Sequence, residues 1–136
     1  MYLEENIVMI KNVLFINRAN TATVIPEVLT GAGHDVIAVN DVWTGLNHLD
    51  MRPFDMVILL DCAAAESWKI CAEIRRRTAS PLIVISSGAG PEECVKAINS
   101  GADFFIRKPF GPMELIARVN ALFQRVTTPQ PISIVS

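Results

Sequence analysis

Five short apolar runs, Val13 to Ile16, Val36 to Val39, Met56 to Leu60, Leu82 to Ile85 and Asp103 to Ile106, alternate with stretches whose apolar residues recur at helical spacing. This alternation narrows the folds open to the chain more than any other feature. A run that is apolar at consecutive positions suits a strand buried on both faces, and strands joined through helices pair in parallel with right-handed crossovers. Met56 to Leu60, the most apolar run, is expected at the centre of the sheet, with Asp61 at its carboxyl end.

The stretches between the runs carry helix signals. Val24, Ile25, Val28 and Leu29 fall on one face, with Pro26 predicting a kink or a late start. Asp41 is placed to cap a helix carrying Val42, Leu46 and Leu49, which Pro53 ends. Trp68 to Arg77 is predicted helical with Cys71 and Ile74 inward, and its three terminal arginines read as a solvated helix end. Pro91 to Asn99 forms a fourth helix with Glu92 and Glu93 in its first turn, and Gly111 and Pro112 open a fifth bearing Leu115, Ile116, Val119, Leu122 and Phe123. The expected architecture is α/β, a flavodoxin-like (βα)5 doubly wound sandwich with a five-stranded parallel sheet.

At 136 residues the chain suits one domain. With 51% hydrophobic and 19% charged residues and a net charge of −2, it has a core-forming composition and no broad field to attract nucleic acid. Three cysteines, Cys62, Cys71 and Cys94, without C-x-x-C spacing argue against a disulfide framework or zinc site and for a reducing, cytoplasmic setting. No apolar run approaches the roughly 20 residues that cross a bilayer, and no membrane partner is expected. Residues 1–10 read as an N-terminal extension, 11–126 as the domain, and 127–136, TTPQPISIVS, as a tail or the opening of a linker.

The stretch Gly101 to Val119, GADFFIRKPFGPMELIARV, sets an apolar strand, an isolated lysine, a proline turn and a helix start in succession. It resembles the end of the response-regulator receiver domain of two-component signalling, and the resemblance runs from about Lys11 to Val126. It implies that Lys108 contacts a phosphoryl group on an aspartate and that Phe105 is the switch aromatic. Upstream, PLIVIS resembles the strand whose terminal hydroxyl, here Ser86, also contacts the phosphoryl group. The phosphoacceptor candidate is Asp61. Because Asp55 lies six residues before it, where the family commonly has five, Leu60 is the alternative occupant of that position.

The first strand departs from the family. Two adjacent acidic residues that hold Mg²⁺ are replaced by Asn17 and Arg18. Mg²⁺ takes hard oxygen ligands, usually including one or two carboxylates, and a guanidinium about 5 Å away would repel it by roughly 3 kcal/mol per unit charge at an effective dielectric constant near 20. The expectation is that Mg²⁺ binding is lost or weak and that Arg18 and Lys108 jointly clamp Asp61. The loop after Asp61, CAAAES, is also shorter than the family's.

Other constellations carry little chemistry. His34 and His48 lack partners at metal-ligand spacing, Trp43 and Trp68 read as packing residues, and no nucleophile and base pair is visible. SSGAG, residues 86–90, is similar to a phosphate loop but completes no G-x-x-x-x-G-K-[ST] or G-x-G-x-x-G motif. The chain is therefore expected to be a non-enzymatic receiver-like module of a phosphorelay response regulator, degenerate and acting by protein contact. The alternatives are a conventional receiver phosphorylated on Asp61 by a histidine kinase, and a flavodoxin-like cofactor-binding protein. A partner or homodimer surface is expected on the fourth helix, fifth strand and fifth helix, where the resemblance is strongest.

Overall fold

The most apolar run, MVILLD, forms the central strand β3 (Met56–Asp61), and all six of its residues are buried. The structure, a computed structural model, describes residues 11–61, 66–86 and 90–127. The expected extension over residues 1–10, the tail beyond 127 and most of the two loops CAAAES and SSGAG lie outside the described residues. Around β3 stand β1 (Asn12–Asn17), β2 (Asp35–Val39), β4 (Leu82–Ser86) and β5 (Phe104–Arg107), all parallel in the order β2-β1-β3-β4-β5. The helices are α1 (Ile25–Gly31), α2 (Val42–Met51), α3 (Ser67–Arg75), α4 (Pro91–Asn99) and α5 (Pro112–Thr127). This is the expected flavodoxin-like (βα)5 sandwich.

Side chains alternate across a strand, so each strand feeds two cores. Val13, Phe15, Met56, Ile58, Leu60, Ile83 and Ile85 pack with Ile25 and Leu29 of α1 and Leu115, Val119, Leu122 and Phe123 of α5. Leu14, Ile16, Val57, Leu59, Leu82 and Val84 pack with α2, α3 and α4 through Leu46, Leu49, Ile70, Cys71, Ile74 and Ala97. Gly45 lets α2 lie close on β1, since a Cβ there would stand 2.6 Å from Ile16 Cδ1. Asp41 caps α2 as expected, accepting the Thr44 amide at 2.8 Å.

The late start offered for α1 is met, while the placing of Val24 on its inner face, the packing of Trp43 and the solvated arginines are corrected. Helix α1 starts late at Ile25 with Pro26 in its first turn, where a missing amide costs no helical bond, and Val24 is left 63% exposed ahead of it. Trp43, expected to pack, is 71% exposed, because the inward face of α2 is already supplied by Leu46 and Leu49. The arginines closing α3 are not a merely solvated end. Arg75 donates to the Gly101, Thr78 and Ser80 carbonyls and pairs with Asp103 at 2.8 Å, and Arg77 pairs with both Asp50 and Glu73. Only Arg76 stays largely in solvent, beside Glu73.

His34, just before β2, is buried with its ring edge-on to Phe123, and among the described residues Nδ1 has no hydrogen-bond partner. Burial, with the nearby Lys11 charge, holds its pKa below the usual 6.5, and Asp55 opposes them. The unfolded chain then takes up the proton first, so stability contributed by neutral His34 is present above about pH 6.5 and lost as pH falls toward the folded value. Denaturant midpoints at pH 7.5 and 5.5 are expected to fall further for the native chain than for His34→Phe, which keeps the ring contact but cannot titrate. Equal shifts in the two proteins would contradict this assignment.

Candidate functional site

The strand order reverses between β1 and β3, and open α/β sheets place their ligand crevice at the carboxyl edge of such a switch point. The ends of these strands carry Asn17, Arg18 and Asp61. By the alternation of β3, Asp61 follows Val57 and Leu59 onto the α3 side of the sheet, while Leu60 turns into the opposite core beside Ile58 and Ile85. Asp61 thus presents a carboxylate at the crevice, and Leu60 is a fully buried core residue. The Leu60 carbonyl accepts the backbone amides of Arg18 at 2.8 Å and Ala19 at 3.1 Å, which bends the chain after β1 over the end of β3.

That bend delivers the Arg18 guanidinium to Asp61. Arg18 Nη1 lies 3.0 Å from Oδ1 and 3.1 Å from Oδ2, bridging the carboxylate. The Asp61 side chain is 0% exposed and that of Arg18 is 37% exposed, so the cation closes the crevice from the solvent side. From the other side the hydroxyl of Ser67, the first residue of α3, donates to Oδ2 at 2.6 Å. Charge-assisted bonds of this length are among the stronger polar contacts in proteins.

The other expected residues lie as follows. Asp61 pairs in register with Ser86, and Ser86, buried, pairs with Arg107; the Lys108 amide donates to the Ser86 carbonyl at 3.0 Å. The ends of β3, β4 and β5 are thereby gathered at one edge. Of the expected clamp on Asp61 the Arg18 arm is present, and Lys108 stands at the same edge through its backbone bond to Ser86. The Lys108–Pro109 peptide is cis. Phe105, half-buried on β5, faces the same core as Val84.

Asn17 is buried but turned to the local backbone. Its Nδ2 donates to the Thr21 carbonyl at 2.8 Å and its Oδ1 accepts the Asn20 amide at 2.9 Å, where Asn20 adopts a left-handed φ of 57°. Asn17 therefore shapes the turn after β1. The residues present do not fit a hard divalent cation: one first-strand position is an amide spent on its own turn, the next is a guanidinium, and the remaining carboxylate is bridged by that guanidinium. Among the described residues no group of three or more His, Cys, Asp or Glu could hold a metal ion. Burial, with the Asp61 charge and against that of Arg75, pushes the Cys71 thiol up to about 12, so Cys71 is not a thiolate nucleophile near neutral pH.

Ser67 was not singled out from the sequence. The helix was expected from Trp68, one residue later, and a serine beside Glu66 reads as an ordinary helix start. The signal was the short spacing in sequence between the end of β3 and the start of α3. Glu66 itself is exposed and bonds to Lys69 at 2.9 Å, which, with the Lys69, Lys96 and Arg18 charges, holds its carboxyl below the usual range.

Comparison with known proteins agrees with this fold. Residues 17–120 match the family model of the response regulator receiver domain. Over 116 residues, 84% of this chain and 53% of the relative, the chain is 34% identical to the response regulator ArlR of Staphylococcus epidermidis. Over 109 residues it is 32% identical to the DNA-binding response regulator MtrA of Mycobacterium tuberculosis, covering 79% of this chain and 47% of that one. A two-component response regulator from Clostridium difficile has the same fold, with a TM-score of 0.78 at 20% identity, covering 87% of this chain and 99% of that one. The chain belongs to the response regulator receiver domain family. It spans about half the length of the curated relatives it matches.

Proposed function

We propose that this receiver domain is a degenerate, pseudo-receiver module that signals through protein contact without Mg²⁺-dependent phosphorylation. The observation that carries the reading is the Arg18 guanidinium bridging both oxygens of Asp61. Phosphoryl transfer to a carboxylate relies on positioning and on neutralising charge around an accessible oxygen. Here Asp61 is buried and neutralised by the protein's own cation, which supports a site fixed in one state. Intact-mass spectrometry after incubation with acetyl phosphate and Mg²⁺ is expected to show unmodified protein. A phosphoryl adduct on Asp61 would overturn the reading.

The conventional receiver is the second reading, and a specific observation favours it: Asp61 and Ser86 are register partners with Lys108 at the next strand end, the set the family uses to hold a phosphoryl group. In that reading a histidine kinase is the partner, Asp61 the acceptor, Ser86 and Lys108 the phosphoryl contacts and Phe105 the switch aromatic. In either reading the module is a cytoplasmic, non-enzymatic part of a two-component regulator. Among the described residues no helix is long and apolar enough to cross a membrane.

The partner or homodimer surface is proposed on α4, β5 and α5. Val95 and Ile98 are 55% and 40% exposed on α4, while Arg118 of α5 lies over the Phe104 ring of β5. Charge reversal by Lys96→Glu or Arg118→Glu should change self-association in concentration-dependent sedimentation, or binding to a partner. Unchanged behaviour in both variants would remove this surface from consideration.

A further inference from the structure

Ser67 stands where a serine would ordinarily serve its own helix, yet α3 has Glu66 as its N-cap and no side-chain cap bond. Its hydroxyl proton goes to Asp61 Oδ2 instead, at 2.6 Å, and Ser67 is only 6% exposed. Oδ2 therefore receives Ser67 as well as Arg18 Nη1. The two contacts come from different elements, the turn after β1 and the start of α3, so removing one does not remove the other.

We propose that Ser67 is a positioning residue, a second latch on Asp61 that keeps the carboxylate from accepting a phosphoryl group even when Arg18 is replaced by an acid. The inference rests on the reading of Arg18 given above. In transfer from an acyl phosphate, a carboxylate oxygen of Asp61 forms the bond to phosphorus while the bond from phosphorus to the donor's carboxylate breaks, and the electron pair leaves with that carboxylate. The Ser67 proton sits on Oδ2 and draws charge from the whole carboxylate, whichever oxygen attacks, and this stabilisation is lost as the carboxylate charge passes into the new acyl phosphate. Releasing a hydrogen bond to a charged oxygen should accelerate transfer roughly ten- to a hundredfold.

The test compares the full chain, Arg18→Asp, Ser67→Ala and Arg18→Asp/Ser67→Ala, each incubated with acetyl phosphate and Mg²⁺ and followed by intact mass. The double variant is expected to gain the phosphoryl group at least about tenfold faster than Arg18→Asp. Arg18→Asp/Ser67→Thr, which keeps a hydroxyl, should fall back toward Arg18→Asp, a rescue that general loosening of α3 would not produce. Equal rates in Arg18→Asp and the double variant, or no uptake by the double variant, would overturn the role of Ser67 while leaving that of Arg18 standing. Uptake by the native chain would instead overturn the Arg18 reading. Ser67 would then stand or fall on whether Ser67→Ala alone is at least about tenfold faster than native. If Arg18→Asp does not fold, as judged by circular dichroism, Arg18→Asn provides the background for the same comparison.

Discussion

Arg18→Asp is expected to destabilise the domain by about 3 kcal/mol in metal-free buffer and to recover part of that loss when millimolar Mg²⁺ is added. The native guanidinium bridges a carboxylate that is 0% exposed. Removing one partner of such a pair leaves a buried charge without its counter-ion, a loss of about 3–5 kcal/mol for fully buried pairs, and the lower end applies because Arg18 is 37% exposed. An aspartate at position 18 adds a like charge beside Asp61 and so also provides two carboxylates of the kind a hard cation requires. Thermal melts with and without Mg²⁺ read both effects. A variant as stable as the native chain without metal would show that the pair contributes nothing to the fold.

Gly101→Ala should act through a different part of the molecule, with a loss of roughly 3 kcal/mol and a fall in melting temperature on the order of 10 °C. Gly101 has φ of 124°, a region that side chains rarely adopt, and a Cβ there would stand 2.2 Å from Arg75 Cγ. Arg75 cannot yield cheaply. It holds the Gly101 carbonyl at 2.9 Å, the Ser80 carbonyl at 2.6 Å and Asp103 at 2.8 Å, while Asp103 accepts the Leu82 amide at 2.8 Å. The substitution therefore strains the backbone and loosens the entrances to β4 and β5 together. Gly111→Ala is the control, since none of the described residues lies within 4 Å of its added carbon and a change within about 0.5 kcal/mol is expected. Comparable melting temperatures for the two variants would contradict this account.

The sheet was legible because every strand carries a run of consecutive apolar residues, a pattern that burial on both faces demands in β1, β3 and β4 and that persists in the partly buried edge strands β2 and β5. Asp61 was legible as the polar residue ending the most apolar run, and the two-residue alternation of β3 decides between it and Leu60. Arg18 at the same edge was likewise foreseen, since the first strand ends one residue before it. What could not be read was reach. Lys108 follows β5, two strands from Asp61, and the reach of its long side chain is set by torsions that no local pattern in the sequence fixes. Ser67 was missed because its hydroxyl serves the end of β3 and not its own helix, which a helix-start pattern does not reveal. Arg75 was misread because one guanidinium gathers carbonyls from Thr78, Ser80 and Gly101, which no local pattern in the sequence connects.

The central claim, that Arg18 stands where a receiver would hold its metal, is tested most directly by the melting temperature of the unmodified chain as Mg²⁺ is raised from zero to 10 mM. A site with a dissociation constant near 1 mM would stabilise the folded state by about 1.4 kcal/mol at that concentration, a shift of several degrees. The account predicts a shift of less than about 1 °C, no larger than that produced by a matched increase in ionic strength. A saturable, Mg²⁺-specific rise of several degrees in the native protein would contradict it.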